Sequence, residues 1–75
     1  MRKMKKKFAI VNLDCANCAA KMELAINKIE GVERAVVSFM AQKLTLVADD
    51  DRFDEIVGLA EKACQKVEPD CYFER

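Results

Sequence analysis

Two cysteines, Cys15 and Cys18, are separated by two residues in the segment Asp14-Cys15-Ala16-Asn17-Cys18. This spacing lets both sulfur atoms converge on one ion, and thiolates are the ligands that soft and borderline metal ions prefer. A short apolar strand precedes the segment and a helical pattern follows it, so the cysteines are expected at the first turn of a helix. Free backbone N–H groups and the helix dipole at that position lower thiol pKa values. The sequence therefore predicts a metal site that is built on two thiolates.

Two other uses of such a cysteine pair are less well supported. A structural zinc site needs four ligands, but the chain contains no His, and Cys64 and Cys71 are not spaced as a second CxxC. A thioredoxin-like redox pair usually has a Trp nearby and a cis-Pro facing it, whereas this chain has no Trp and Pro69 is its only proline. An incompletely coordinated, exchangeable metal site is favoured, and a thiol-disulfide oxidoreductase remains an alternative.

The composition fits one small domain. The chain has 75 residues, and its thirteen basic and thirteen acidic residues cancel, which gives no argument for nucleic acid as a partner.

The sequence shows no membrane-spanning or secretory segment. No apolar run approaches the roughly 18 residues that span a membrane. No apolar segment follows the basic N-terminus, so a secretory signal is not expected. We therefore expect a cytoplasmic location, where cysteines stay mostly reduced.

The elements that position the cysteines follow from hydrophobic periodicity. Apolar residues alternate in four short runs, which predict strands, and recur at helical spacing in two longer runs. The order strand, helix, strand, strand, helix, strand predicts an α+β, ferredoxin-like βαββαβ sandwich, with a four-stranded antiparallel sheet and two helices on one face. Residues 1–6 are expected to form a basic flexible lead-in, and residues 7–75 the domain. The predicted helices lie near residues 18–29 and 53–67, and the strands near residues 8–11, 35–39, 44–48 and 71–73.

Several short motifs resemble one family. Leu13-Asp14-Cys15-Ala16-Asn17-Cys18-Ala19, Ile29-Glu30-Gly31-Val32 and Val37-Ser38-Phe39 are similar to motifs of the heavy-metal-associated domain. That family includes small metallochaperones and the N-terminal domains of P1B-type heavy-metal ATPases, and the resemblance covers residues 7 to 74. It implies the same βαββαβ fold. It also implies that the loop binds a metal ion and passes it to a partner by ligand exchange.

Asp14 narrows the choice of metal within this resemblance. Copper members commonly carry Thr, Ser or His at that position, whereas zinc, cadmium and lead exporters commonly carry Asp. A second segment, Glu68-Pro69-Asp70, is also similar to the exporter group. The chain departs from the family in having Asn12-Leu13 in place of the usual Gly-Met. A carboxylate would add a hard oxygen ligand that suits a dication. We expect Zn(II) or Cd(II), with Pb(II) as a further candidate and Cu(I) as the alternative.

The resemblance also implies partners. We expect a monomer that regulates or feeds a membrane metal-ATPase core, or exchanges metal with another thiol-rich metal-handling protein, and that binds no nucleic acid. The chain has no nucleotide-binding loop or phosphorylatable aspartate motif, so it is not expected to be an enzyme by itself. A free-standing copper or mercury metallochaperone is the alternative.

Topology brings a distant segment close to the loop. In this fold the last strand begins beside the end of the first, which places Glu68, Asp70 and Cys71 near Asp14. These three residues are therefore possible additional metal ligands. Because Cys71 shares a strand face with Phe73, an inward-facing core thiol is the other interpretation.

Overall fold

The predicted order of elements is confirmed in the computed structural model, which describes residues 2–74. Met1, in the predicted lead-in, and Arg75, at the end of the predicted domain, lie outside the described residues. The helices are α1 (Ala16–Asn27) and α2 (Phe53–Val67), and a short 3₁₀ turn (Asp50–Arg52) precedes α2. The strands are β1 (Lys3–Val11), β2 (Val32–Ser38), β3 (Lys43–Asp49) and β4 (Tyr72–Glu74).

The four strands form one antiparallel sheet in the order β2-β3-β1-β4. One face of the sheet is apolar, with Leu44, Leu46 and Ala48 fully buried against the two helices. Phe8 stacks on Phe53 of α2 and on Phe73 of β4, with ring centroids 6.4 and 5.8 Å apart. This is the predicted ferredoxin-like sandwich. No helix among residues 2–74 is long and apolar enough to cross a membrane.

The prediction of a flexible lead-in over residues 1–6 is wrong for most of that segment. Strand β1 begins at Lys3, and residues 3–6 pair with residues 46–49 of β3. Lys3 Nζ lies 2.6 Å from Asp49 Oδ1, and Arg2 O accepts a hydrogen bond of 2.9 Å from the Asp50 N–H. Alternate lysines of β1 point to the solvent-facing side of the sheet, so charge in this segment is compatible with a paired strand.

Helix side chains cover both edges of the sheet. On the β2 edge, the Ala35 N–H donates to Asn27 Oδ1 and the Val37 N–H donates to Glu23 Oε2, both at 2.9 Å. On the β4 edge, the Phe73 N–H donates to Glu61 Oε2, also at 2.9 Å. Unpaired edge N–H groups are templates for pairing with another chain, so these bonds protect the sheet while tying each helix to it.

Gly31, in the turn between α1 and β2, has a backbone conformation that side chains disfavour. Its φ is +97°, and a Cβ added there would lie 2.8 Å from Ile56 Cδ1 in the core. Helix α1 ends at Asn27, somewhat earlier than its periodicity predicts, so Gly31 serves the turn and not the helix cap. Gly58, within α2, has open space where a Cβ would be added.

These two glycines should respond oppositely to the same substitution. Gly31→Ala should lower the free energy of unfolding by about 1–3 kcal/mol, because it combines positive φ with a core clash. Gly58→Ala should raise it by about 0.5–1 kcal/mol, because alanine favours the helix. Urea unfolding of both variants tests this, and a neutral Gly31→Ala would contradict the strained turn.

Candidate metal centre

The loop between β1 and α1 is fixed at its base by one buried side chain. Leu13 is only 2% exposed and belongs to the core, so the residues that follow it are held at the surface directly above. Asn12, just before it, adopts φ +66°, a left-handed conformation that Asn tolerates better than most residues. The Asn12 side-chain amide donates a hydrogen bond of 3.0 Å to Asp70 O. The turn between α2 and β4 therefore supports the loop from one side.

A second support comes from the turn between β2 and β3. Gln42, which also has positive φ, donates through Nε2 to Leu13 O at 2.6 Å and to Phe39 O at 3.0 Å. Its own carbonyl accepts a hydrogen bond of 2.8 Å from the Ile10 N–H. Neither Gln42 nor Asn12 was predicted from the sequence as a support of the site. Both act through contacts between distant segments, and no local pattern signals them.

The two thiols lie on the same turn of α1. Cys15 is the N-cap residue, with extended φ and ψ of −139° and 126°, and its Sγ accepts a hydrogen bond of 3.4 Å from the Cys18 N–H. The sulfur thus occupies the position that a Ser or Asp oxygen usually takes in capping a helix. Both cysteines are half-buried and free. They are close enough to act together and open enough to meet a ligand from solution.

The helix start makes the two thiols unequal. The pKa of Cys15 is lowered, chiefly by the backbone N–H of Cys18, and further by the Cys18 thiol, the Asn17 N–H and the Lys21 charge. The pKa of Cys18 is raised, mainly by its hydrogen bond with Cys15, then by burial, the Cys15 charge and the Glu68 charge. Cys15 therefore loses its proton before Cys18. A metal that binds both sulfurs must displace the protons that they still carry.

Asp14 is exposed beside this pair. Within residues 2–74, its carboxylate has no hydrogen-bond or ion-pair partner, so it is free to reorient. No group of three or more Cys, Asp, Glu or His side chains that could hold a metal is assembled in this part of the chain. The structure thus brings Cys15 and Cys18 together, but it does not fix a third ligand next to them.

The corner formed by Glu68, Asp70 and Cys71 lies close to the loop, as topology predicts. Asp70 contacts it through its backbone carbonyl, and Glu68 is near enough for its charge to raise the pKa of Cys18. The Cys71 side chain points inward and is only 1% exposed, and its N–H donates to Glu68 O at 3.0 Å. Glu68 therefore faces the loop with its charge and Asp70 with its backbone carbonyl, whereas the Cys71 thiol lies in the core.

Cys64 and Cys71 form a second class of cysteine. Cys64 is fully buried in the last turns of α2, and burial is the main factor that raises its pKa to about 12. Burial also raises the pKa of Cys71. Both side chains are held as neutral thiols at physiological pH, which makes them poor nucleophiles and poor metal ligands in the folded state.

Alkylation by iodoacetamide should separate the four cysteines. Cys15 should react first, with a pH midpoint below that of an ordinary thiol, because its thiolate is stabilised by the helix start. Cys18 should follow more slowly, whereas Cys64 and Cys71 should react only after denaturation. Mass-spectrometric peptide mapping over a pH series measures this order. Modification of Cys64 or Cys71 at the Cys15 rate in the folded protein would contradict the structure.

Comparisons with known proteins agree with this geometry. Over 69 residues the chain is 33% identical to the cadmium, zinc and cobalt-transporting ATPase of Bacillus subtilis, covering 92% of this chain but only 10% of the relative. The chain therefore spans about a tenth of the length of that ATPase. It is 30% identical to the copper chaperone CopZ of Enterococcus hirae, covering 85% of this chain and 86% of the chaperone.

The structural comparison agrees as well. The solution structure of the N-terminal domain of ZntA in the apo form superposes with a TM-score of 0.75 at 31% identity, covering 99% of this chain and 96% of that domain. Residues 7–68 match the sequence model of the heavy-metal-associated domain. This match covers most of the chain and includes both cysteines of the loop. The chain belongs to the family of heavy-metal-associated domains, which are metal-binding modules.

Proposed function

We propose that the chain binds one divalent soft or borderline ion through Cys15 and Cys18 and exchanges it with a thiol-containing partner. The observation that carries this proposal is the half-buried thiol pair at the start of α1, where one pKa is lowered and no third ligand is fixed in place among residues 2–74. Family membership favours metal binding over the thiol-disulfide alternative.

Incomplete coordination supports exchange over storage. Structural zinc sites are closed by four protein ligands, whereas two thiolates leave positions open on the ion. An incoming thiolate can then bind before either cysteine leaves, so the metal is never released free. The half-exposed positions of Cys15 and Cys18 leave room for that approach. The buried Cys64 and Cys71 would be too deep to take part in such a transfer.

The charge of the loop favours a dication. Two thiolates and the Asp14 carboxylate carry three negative charges, which suit Zn(II), Cd(II) or Pb(II) better than Cu(I). Cu(I) is satisfied by two thiolates alone. The similarity to a cadmium, zinc and cobalt transporter supports a divalent ion, and the similarity to a copper chaperone keeps Cu(I) as the alternative.

Asp14 is the best candidate for the third ligand, because it adjoins Cys15, is exposed and has no partner among residues 2–74. Glu68 is the next candidate, because its charge acts on Cys18 across the loop. Asp70 is weaker, because it contacts the loop through its backbone carbonyl. Cys71 is the weakest candidate, because its thiol would have to leave the core.

The relatives support a proposal for the setting of the domain. Because the chain matches about a tenth of a metal-transporting ATPase, we propose that it acts as a cytoplasmic delivery or regulatory domain whose partner is the ATPase core. The match to 86% of the length of a copper chaperone supports the alternative of a free-standing metallochaperone. In either setting the chain hands over metal and does not itself pump it.

Replacing both loop cysteines should remove the site and preserve the fold. In the variant carrying Cys15→Ser and Cys18→Ser, Cd(II) binding followed by thiolate charge-transfer absorption should disappear, since no other thiolates are available. Circular dichroism and the unfolding midpoint should change little, because Cys18 is only half-buried at the border of the core and Ser is a favourable N-cap residue at position 15. Tight Cd(II) binding by the double variant would refute the proposed site.

Asp14→Ala tests the choice of metal. It should weaken Zn(II) binding by about tenfold or more and leave Cu(I) binding nearly unchanged. The estimate is a lower bound, because mutating residues that only hydrogen-bond to metal ligands already lowers metal affinity by about 10–100-fold. Asp51→Ala is the matched control, because it removes the same charge from an exposed turn at the other end of the sheet. Anaerobic competition titrations measure both metals. Equal losses for Zn(II) and Cu(I), or equal effects of the two variants, would remove Asp14 from the ligand set.

A further inference from the structure

The face of the sheet opposite the helices carries a cluster of cations. Along β1, Phe8 and Ile10 point into the core, so Lys5 and Lys7 point to the open side. The same alternation places Arg34 of β2 and Lys43 of β3 on that side. We call this set the basic sheet face; it consists of Lys5, Lys7, Arg34 and Lys43 around Val36, Thr45 and Val47.

The strand register brings these cations to neighbouring positions. Val47 pairs with Lys5 on one side and with Arg34 on the other, so these two cations flank a single residue of β3. Because neighbouring strands are about 4.8 Å apart, the two backbones are roughly 10 Å apart, within joint reach of one phosphate group for two long side chains. A shallow depression of about 280 Å³ lies between them, lined by Lys5, Arg34, Val36, Thr45 and Val47.

The four cations are not neutralised within the described part of the chain. Among residues 2–74 the ion pairs join Lys3 to Asp49 and Arg52 to Glu55, and neither pair includes a member of the basic sheet face. Three carboxylates lie beside these cations: Asp49, which is bonded to Lys3; Glu33, at the bulge of β2; and Glu74, which flanks Ala9 on the side away from Lys43.

Charge is unevenly distributed, although the whole chain has no net charge. A second group of lysines, which lines the groove between the helices, consists of Lys21, Lys28, Lys62 and Lys66. A run of carboxylates, namely Asp50, Asp51, Asp54 and Glu55, is concentrated around the start of α2. The basic sheet face is a separate positive surface, and its field extends about 10 Å at an ionic strength of about 0.1 M. An anionic partner would be attracted to this face and repelled from the start of α2.

We propose that the basic sheet face docks on the anionic headgroups of a membrane. Long, unpaired cations on a flat surface suit phosphate and carboxylate groups displayed in a plane, and each such cation strengthens binding to an anionic leaflet. Bases of single-stranded nucleic acid would need an aromatic platform. The aromatic residue on this side of the described sheet is Tyr72 of β4, which pairs with Val11 and lies outside the cluster.

The position of this face leaves the metal loop free. The pair Lys5 and Arg34 lies toward the start of β1, whereas the loop follows its end. Of the four cations, Lys43 lies closest along the strands to the loop, because it pairs with Ala9. A domain docked through the open side of its sheet would therefore keep Cys15 and Cys18 accessible beside the membrane. The usefulness of that arrangement rests on the proposed delivery role, but docking itself requires no metal.

Vesicle co-sedimentation tests the proposal with matched variants. The wild-type chain should bind vesicles that contain phosphatidylserine, bind pure phosphatidylcholine far more weakly, and dissociate as salt is raised. Lys5→Gln combined with Arg34→Gln should weaken binding by about tenfold or more. Lys62→Gln combined with Lys66→Gln removes the same charge from the groove between the two helices, on the opposite face of the domain, and should bind nearly as well as wild type.

Three outcomes would overturn docking through this face. They are equal binding to both kinds of vesicle, equal losses in the two double variants, and tighter binding to a single-stranded oligonucleotide than to anionic vesicles. Cd(II) titration of the Lys5→Gln and Arg34→Gln variant separates this proposal from the metal site. The Cd(II) affinity of this variant should match that of the wild type. If vesicle binding is lost while Cd(II) binding is intact, the substitutions affect docking and not the metal site.

Discussion

Burial of the Leu13 side chain is the constraint on which the site depends. Because this residue belongs to the core, the chain must rise to the surface immediately after it, and Cys15 begins α1 there. Hydrogen bonds from Asn12 to the α2–β4 turn and from Gln42 to the Leu13 carbonyl hold the base of the loop from two sides. The thiols are therefore positioned by the folded sheet before any metal arrives, which reduces the ordering that binding requires.

Burial then divides the cysteines by function. The same residue type has a lowered pKa at the helix start, where N–H groups stabilise the Cys15 thiolate, and is an inert core residue at Cys64, where desolvation raises the pKa to about 12. This division gives a domain with four thiols a single reactive pair. In the function proposed above, metal exchange would change the protonation of Cys15 and Cys18 and leave the buried thiols of Cys64 and Cys71 as they are.

Hydrophobic periodicity was sufficient to predict the order of elements and the fold, because strands with one buried face alternate strictly and the two helices do not. It failed at the start of β1, where lysines on the open side of the sheet resemble a solvated tail, although residues 3–6 are paired with β3. The position of the Glu68–Cys71 corner followed from topology. Topology did not predict how the side chains of this corner are oriented. It also did not predict that Asn12 and Gln42 support the loop, because both act through contacts between segments far apart in the sequence.

We propose that Cys15 and Cys18 are the only thiols of the chain that hold the metal. X-ray absorption spectroscopy of the Cd(II)-loaded wild-type chain counts the sulfur atoms bound to the ion directly. We predict a first coordination shell with two sulfur atoms, from Cys15 and Cys18, completed by oxygen ligands. A shell of three or four sulfur atoms would mean that Cys71 or Cys64 leaves the core to bind metal, and would contradict this claim.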